Sequence, residues 1–198
     1  WKFIGYQGLA SHGGTVGLFT ALWLYTKRTK ISFAWLLDNI AITTPIVAGM
    51  IRMGNFFNSE ILGNVTEMPW GVIFAQVDKL PRHPAQLYEA ICYLLVFAIL
   101  FWLYLRKDLG RRRPGMLFGF TMIGIFVSRF FIEFCKERQV AFEDFLPLDM
   151  GQLLSIPFII LGVVMIFMAL KRPAVSDINA VVENAKRYYA SEQKRNKR

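Results

Sequence analysis

The chain has 198 residues, of which 55% are hydrophobic and 15% aromatic, and its mean hydropathy is +0.38. These values exclude an ordinary soluble domain of this size, which contains fewer apolar residues. The formal net charge of +9 would suit a nucleic-acid partner, but long uncharged runs separate the Lys and Arg residues, so we expect no nucleic acid. The composition instead predicts an all-α protein in a lipid bilayer.

Five apolar runs predict membrane-spanning helices, because a helix needs about 20 mostly apolar residues to cross the hydrocarbon core. The last three runs meet this length plainly, whereas the first is short and the second contains Asp38, Pro45 and Arg52. In chain order, the predicted spans cover residues 9–26, 31–57, 84–105, 115–136 and 150–170. We therefore expect a polytopic transmembrane helical bundle of about five spans, forming one domain over residues 1–172.

Basic residues collect in every second connection between these runs. Residues 27–30, 106–113 and 171–198 contain three, five and eight Lys or Arg residues, which account for most of the 23 in the chain. Because short loops rich in Lys and Arg stay on the cytoplasmic side, we expect these connections and the C-terminal tail to be cytoplasmic. Residues 58–83 then lie on the opposite side, next to the outer leaflet.

Two segments fall outside the predicted spans. Residues 58–83 contain Gly63, Pro69 and Gly71, and we expect them to form a small outer-face cap of loop and short strand. The tail, residues 173–198, is basic and weakly hydrophobic, which predicts an amphipathic helix or disorder. Because the chain starts at Trp1 and shows no signal peptide, we also expect the natural protein to be longer.

Two polar stripes interrupt the apolar spans, and ionisable side chains in such places usually face the bundle interior and serve a function. The second span carries Arg52 and Asn55 on one helical face, and the end of the fourth carries Arg129, Glu133 and Lys136. A guanidinium binds phosphate through paired hydrogen bonds. Two arginines from different spans near the outer leaflet therefore predict a cradle for a lipid phosphate.

Structural interpretations of these residues stay open at this point. Arg129 and Glu133 are four residues apart and can simply pair with each other. We expect Lys136 to extend past the bundle to the lipid headgroups without a role in binding. His12, in the motif SHGG at the outer end of the first span, is either structural or a base that takes a proton from a thiol or hydroxyl.

Several enzyme classes lack their motifs in this sequence. It contains two histidines and no HExxH, so we expect no metal site, and it has no GxSxG typical of serine hydrolases. Cys92 and Cys135 have no metal-ligand spacing, and we interpret both as small buried side chains. A phosphate held by arginines beside one base favours lipid-headgroup chemistry that needs no cofactor.

Five motifs follow one another along the chain: SHGG around His12, RMGNFFNSEILG at 52–63, RHPAQLYE at 82–89, SRFFIEF at 128–134 and MGQLLSIP at 150–157. Together they resemble the prolipoprotein diacylglyceryl transferase family. The resemblance implies a multi-pass enzyme of the bacterial cytoplasmic (inner) membrane, and a chain that lacks two N-terminal spans of the family. Its expected activity is transfer of the diacylglyceryl group of phosphatidylglycerol to the lipobox cysteine of a prolipoprotein, which releases glycerol 1-phosphate.

The resemblance also implies roles for individual residues. The catalytic positions are His12, Arg52, Asn55 and Arg129, where the two arginines would hold the phosphate and His12 would help to deprotonate the acceptor thiol. The positions expected to bind substrate are Arg52, Asn58, Glu60, Gly63, Glu89, Arg129 and Glu133.

Two positions depart from the family pattern. Glycine usually precedes the first arginine, where this chain has Ile51, and a tyrosine is common four residues before the second arginine, where it has Ile125. Phe126 or Phe120 could fill the space of this tyrosine, but neither supplies a hydroxyl. Two other functions remain as alternatives: an anion channel or transporter that uses the arginine stripe, and a scaffolding membrane subunit.

Overall fold

A computed structural model describes residues 11–29, 31–137 and 148–172, with positions 183, 186, 187 and 190 of the tail; of His12 it describes only the backbone. These ranges form six helices: α1 (Ser11–Thr29), α2 (Phe33–Phe57), α3 (Ala85–Lys107), α4 (Leu109–Arg112), α5 (Met116–Ile132) and α6 (Met150–Lys171). A 3-10 turn, Glu133–Cys135, follows α5, and two short strands, β1 (Val72–Ile73) and β2 (Pro81–Arg82), pair antiparallel. The four described positions of the tail are helical, and the rest of the predicted tail helix lies outside the described residues.

The long helices confirm a polytopic helical membrane protein. Four of them, α2, α3, α5 with its 3-10 turn, and α6, are long and apolar enough to cross a membrane. Large apolar side chains cover their outward faces; Leu95 is 58% exposed and Ile160 57%, which suits contact with lipid rather than water. When the 3-10 turn is counted with α5, the predicted span bounds lie within three residues of the observed ones. The first predicted span forms as α1 but is not among the four, so a fifth crossing stays a prediction.

Glycine contacts bring α5 and α6 close together. A Cβ atom on Gly119 would lie 2.8 Å from the carbonyl oxygen of Gly162, and one on Gly162 would lie 2.8 Å from the carbonyl oxygen of Gly119. Small residues at a crossing let two backbones approach, which is how helices gain packing energy in a lipid environment. This crossing fixes α6 against α5, the helix that carries the second polar stripe.

At one end of the bundle, here called the basic end, α3 ends and α5 begins. Asp38 of α2 is 1% exposed there, and its carboxylate accepts hydrogen bonds from the backbone N–H groups of Gly115 and Phe118, both at 2.7 Å. The first N–H groups of a helix have no partner within that helix, and a carboxylate also suits the positive end of the helix dipole. Asp38 therefore ties α2 to the start of α5.

The opposite end, here called the cap end, is covered by the cap segment, residues 58–83. Arg82 is 7% exposed and holds this segment together: it donates to Asp78 at 2.7 Å, to Glu137 at 2.9 Å and to the carbonyl oxygen of Gly63 at 3.2 Å. The hydrogen bond from Arg82 lowers the pKa of Asp78, and the same bond raises the pKa of Arg82. The predicted cap of loop and short strand is confirmed.

Candidate functional site

Five charged side chains from neighbouring elements lie at the cap end, beneath the cap segment. Arg52 comes from the last two turns of α2, Glu89 from the start of α3 and Arg129 from the last turn of α5, while Glu133 and Lys136 come from the 3-10 turn and the residue after it. Three cations and two carboxylates leave one positive charge without a carboxylate. The group therefore favours an anionic ligand.

Glu89 is at the centre of this group and is fully buried, with 0% exposure. Its Oε1 accepts hydrogen bonds from the Lys136 ammonium at 3.0 Å and from the Tyr93 hydroxyl at 3.3 Å. Its Oε2 lies 2.9 Å from Nε of Arg52, an ion pair without hydrogen-bond geometry, since this oxygen accepts no hydrogen bond in the described part of the chain. A single carboxylate thus links α2, α3 and the turn after α5.

The expectation that Lys136 extends to the lipid headgroups is wrong. Its side chain is 5% exposed and pairs with Glu89 at 3.0 Å and with Glu133 at 2.9 Å. The physical reason is the 3-10 turn, which ends the helix before Lys136, together with a backbone bridge between Lys136 and Gly63 of the cap segment. The turn and the bridge direct the side chain inward.

Arg129 is not paired with Glu133 as the structural interpretation supposed. The Glu133 carboxylate instead contacts Lys136 and packs against Gly151, where an added Cβ atom would collide with it. Among the described residues Arg129 forms no ion pair, and its Nε is buried without a hydrogen-bond partner. Because buried polar atoms are normally hydrogen-bonded, an unpartnered guanidinium nitrogen in this position indicates a place for a ligand acceptor.

Asn55 and Glu60 lie at the turn that ends α2. The Asn55 side chain donates to the Glu60 carboxylate at 3.3 Å, and Gln86 of α3 donates to the Glu60 carbonyl oxygen at 2.6 Å. Ser59 and Ile61 on either side both have φ of 55°, a conformation rare for residues other than glycine and rarest for a β-branched one. The turn is therefore held by tertiary contacts and fixes Glu60 beside Asn55.

The other predicted site residues lie around this turn. Asn58 is exposed at the C-cap of α2. Gly63 is buried where the cap segment crosses His83 and Cys135, and an added Cβ atom would collide with the His83 carbonyl and lie 2.8 Å from that of Cys135. His12 belongs to the first turn of α1, but its side chain is outside the described residues, so its role as a base stays a prediction.

An apolar cavity of about 350 Å³ lies between α1, α2, α5 and α6. Its walls include Ala48 of α2 and Ile125 of α5, and each of these residues precedes a site arginine by four positions, which is about one helical turn. Arg52 and Arg129 do not line the cavity, but each lies about one helical turn from its wall.

Two members of the site were missed by the sequence interpretation. Tyr93 lies in an apolar run and resembles a core residue, although its spacing of four from Glu89 puts both on one face of α3. Lys136 was noticed but assigned to the headgroups. In the described part of the chain, no three His, Cys, Asp or Glu residues are placed to hold a metal ion. The expectation that the chemistry needs no metal or cofactor stays an expectation.

Comparisons with known proteins agree on one family. The family model described as "Prolipoprotein diacylglyceryl transferase" matches residues 2–168. Proteins named phosphatidylglycerol–prolipoprotein diacylglyceryl transferase are 50% identical over 176 residues in Bacteroides fragilis, 48% over 170 in Chloroherpeton thalassium and 46% over 186 in Porphyromonas gingivalis. These alignments cover 88%, 85% and 87% of this chain, and 63%, 63% and 66% of the relatives. The chain thus spans a little under two thirds of their length.

Proposed function

Because the chain belongs to the prolipoprotein diacylglyceryl transferase family, we propose that it forms most of the catalytic bundle of an enzyme acting on phosphatidylglycerol and a prolipoprotein. The enzyme transfers the diacylglyceryl group of the lipid to the lipobox cysteine thiol. This is the first step of bacterial lipoprotein maturation.

The observation that carries the proposal is that two arginines lie about one helical turn from the wall of an apolar cavity. Arg52 and Arg129 come from different helices, and each follows a wall residue of the cavity by one turn. A lipid anion has this shape, with a charged headgroup next to acyl chains. A free inorganic anion needs no apolar cavity of about 350 Å³. The site therefore suits a phospholipid better than a small soluble anion.

The reaction follows from the charges. The acceptor thiol, with a usual pKa of about 8.5, must lose its proton to become a nucleophile. His12 takes this proton, and the thiolate attacks the glyceryl carbon of the diacylglyceryl group. A C–S bond forms while the C–O bond to the phosphate breaks, and its electron pair leaves on the phosphate oxygen of glycerol 1-phosphate. Arg52 and Arg129 stabilise the charge that develops on this leaving group.

Asn55 and Glu60 orient the headgroup beside the arginines. They form one hydrogen-bonded unit at the end of α2, one turn past Arg52. Asn58 is exposed at the same turn, and we place it at the edge of the site, on the route by which the substrate peptide approaches. Glu89 and Glu133 hold the arginine and lysine side chains in place. Gly63 lets the cap segment pack closely.

We place the protein in the bacterial cytoplasmic membrane with its C-terminus in the cytoplasm. Alternate connections rich in Lys and Arg support this orientation, because such loops stay on the cytoplasmic side. The cap end, with Arg52 and Arg129, then lies at the outer leaflet. A lipobox cysteine following a signal sequence reaches this leaflet during export.

The test uses the protein at its natural length in vesicles containing phosphatidylglycerol, with a lipobox peptide as acceptor. We expect the peptide to gain the mass of a diacylglyceryl group, and Arg129→Gln to lower the rate by about a hundredfold or more, as the loss of one charge-stabilising group does elsewhere. Arg106→Gln is the control, since Arg106 is exposed at the basic end. Equal rates for the two variants would contradict the roles assigned here.

The alternatives predict different results. An anion channel would pass anions through vesicles without modifying the peptide, and a scaffolding subunit would tolerate both substitutions. The transferase names of the relatives give the channel no support.

A further inference from the structure

Tyr93 places a buried hydroxyl inside the charged group at the cap end. It lies on α3, is 2% exposed, and donates to Oε1 of Glu89 at 3.3 Å. Glu89 connects it to Arg52, whose Nε lies 2.9 Å from the other oxygen of the same carboxylate. An ordinary core tyrosine needs only its ring for packing, whereas the Tyr93 hydroxyl donates to a buried carboxylate.

The two carboxylate oxygens of Glu89 have different contacts, and Tyr93 contributes to this difference. Oε1 accepts two hydrogen bonds, from Lys136 and Tyr93, whereas Oε2 has only the ion pair with Arg52. Two donors on one oxygen fix the orientation of the carboxylate, so the other oxygen stays directed at Nε of Arg52. Among the described residues the two Nη groups of Arg52 donate no hydrogen bond, so they can bind a phosphate as a fork.

We propose that Tyr93 is a positioning residue for the lipid phosphate, acting through Glu89 on Arg52. This inference rests on the proposed function and names a residue that the sequence motifs do not include.

The experiment compares Tyr93→Phe with Tyr104→Phe in the natural-length protein, using phosphatidylglycerol vesicles and the lipobox peptide. Tyr104 is a matched control, because it is on the same helix, packs in the core of the basic end and is remote from the site. We expect Tyr93→Phe to lower kcat/KM for phosphatidylglycerol by about tenfold or more, the range for one hydrogen bond to a charged group. Its melting temperature should stay near that of Tyr104→Phe.

The split between KM and kcat separates positioning from a structural role. Tyr93→Phe should raise KM for phosphatidylglycerol, because Arg52 is no longer fixed for the phosphate, whereas a loss of folded protein lowers the apparent kcat and leaves KM unchanged. The inference is overturned if Tyr93→Phe matches Tyr104→Phe, if its activity falls only in proportion to its folded fraction, or if its KM for phosphatidylglycerol is unchanged. A natural-length protein without any transfer activity would instead overturn the proposed function.

Discussion

Two buried carboxylates at opposite ends of the bundle have different kinds of partner, backbone N–H groups in one case and side chains in the other. Asp38, at the basic end, is 1% exposed and accepts two backbone N–H bonds from the start of α5. Glu89, at the cap end, is 0% exposed and contacts the side chains of Arg52, Lys136 and Tyr93. Both lie on membrane-length helices, where an ionised side chain is costly.

The difference indicates which carboxylate is structural and which belongs to the site. Backbone N–H groups at a helix start are fixed in number and direction, so the bonds to Asp38 join two helices and leave nothing for a ligand. The cations around Glu89 are long side chains with several donors each, and an incoming phosphate can share them. We therefore expect loss of Asp38 to change stability alone and loss of Glu89 to change activity as well.

Glu89→Gln should have the largest effect. Removing the charge takes away the carboxylate that pairs with Arg52 and leaves Lys136 with Glu133 alone, and breaking a buried ion pair from one side costs about 3–5 kcal/mol. We expect the rate of diacylglyceryl transfer from phosphatidylglycerol to the lipobox peptide to fall by more than about a hundredfold, because no carboxylate then holds Arg52 in position. Activity and thermal unfolding are measured on the same detergent-purified sample. Retained activity in a destabilised protein would assign Glu89 to structure only.

Asp38→Ala should lower stability without lowering activity per folded molecule. The substitution leaves the N–H groups of Gly115 and Phe118 buried without an acceptor, and each such donor costs about 1–3 kcal/mol. Thermal unfolding gives the stability, and the transfer rate divided by the folded fraction gives the activity. A fall in this normalised rate would show that the basic end is coupled to the site, and the contrast between the two carboxylates would then fail.

The sequence predicted the architecture and the charged stripes well, since both follow from local patterns. Helix bounds came from hydropathy, and Arg52, Asn55 and Glu60 were expected together because their spacing places them around one helix end. The partners were harder to predict. The carboxylate of Asp38 meets a helix start 77 residues later, and only the folded chain brings the two together.

Lys136 and Tyr93 show why the site itself was predicted incompletely. Lys136 follows a 3-10 turn, and a turn of three residues has no clear hydropathy signal, so the direction of the side chain was unknown. Tyr93 was hidden among apolar residues because a tyrosine ring packs like a hydrophobic side chain until its hydroxyl finds a partner. The cavity beside Ile125 depends on four helices and has no signature in any one of them.

A third carboxylate, Asp78 in the cap segment, should give the smallest effect, because its ion pair with Arg82 is partly exposed and screened by salt. The hydrogen bond from Arg82 lowers the pKa of Asp78 below its ordinary 3.8, so its contribution to stability is present above that value and is lost as the pH falls. Protection against hydrogen exchange, taken relative to the intrinsic rate at each pH, is measured at the amides of Thr66 and His83, which bond across the cap segment. It should fall more in the natural protein than in Asp78→Asn between about pH 5 and pH 3. An equal loss of protection in both proteins would show that Arg82 holds the cap segment through Glu137 and the Gly63 carbonyl instead. With the expected result, the size of each carboxylate's effect follows its burial and the kind of group that donates to it. Only Glu89, which is surrounded by side-chain cations, then affects transfer.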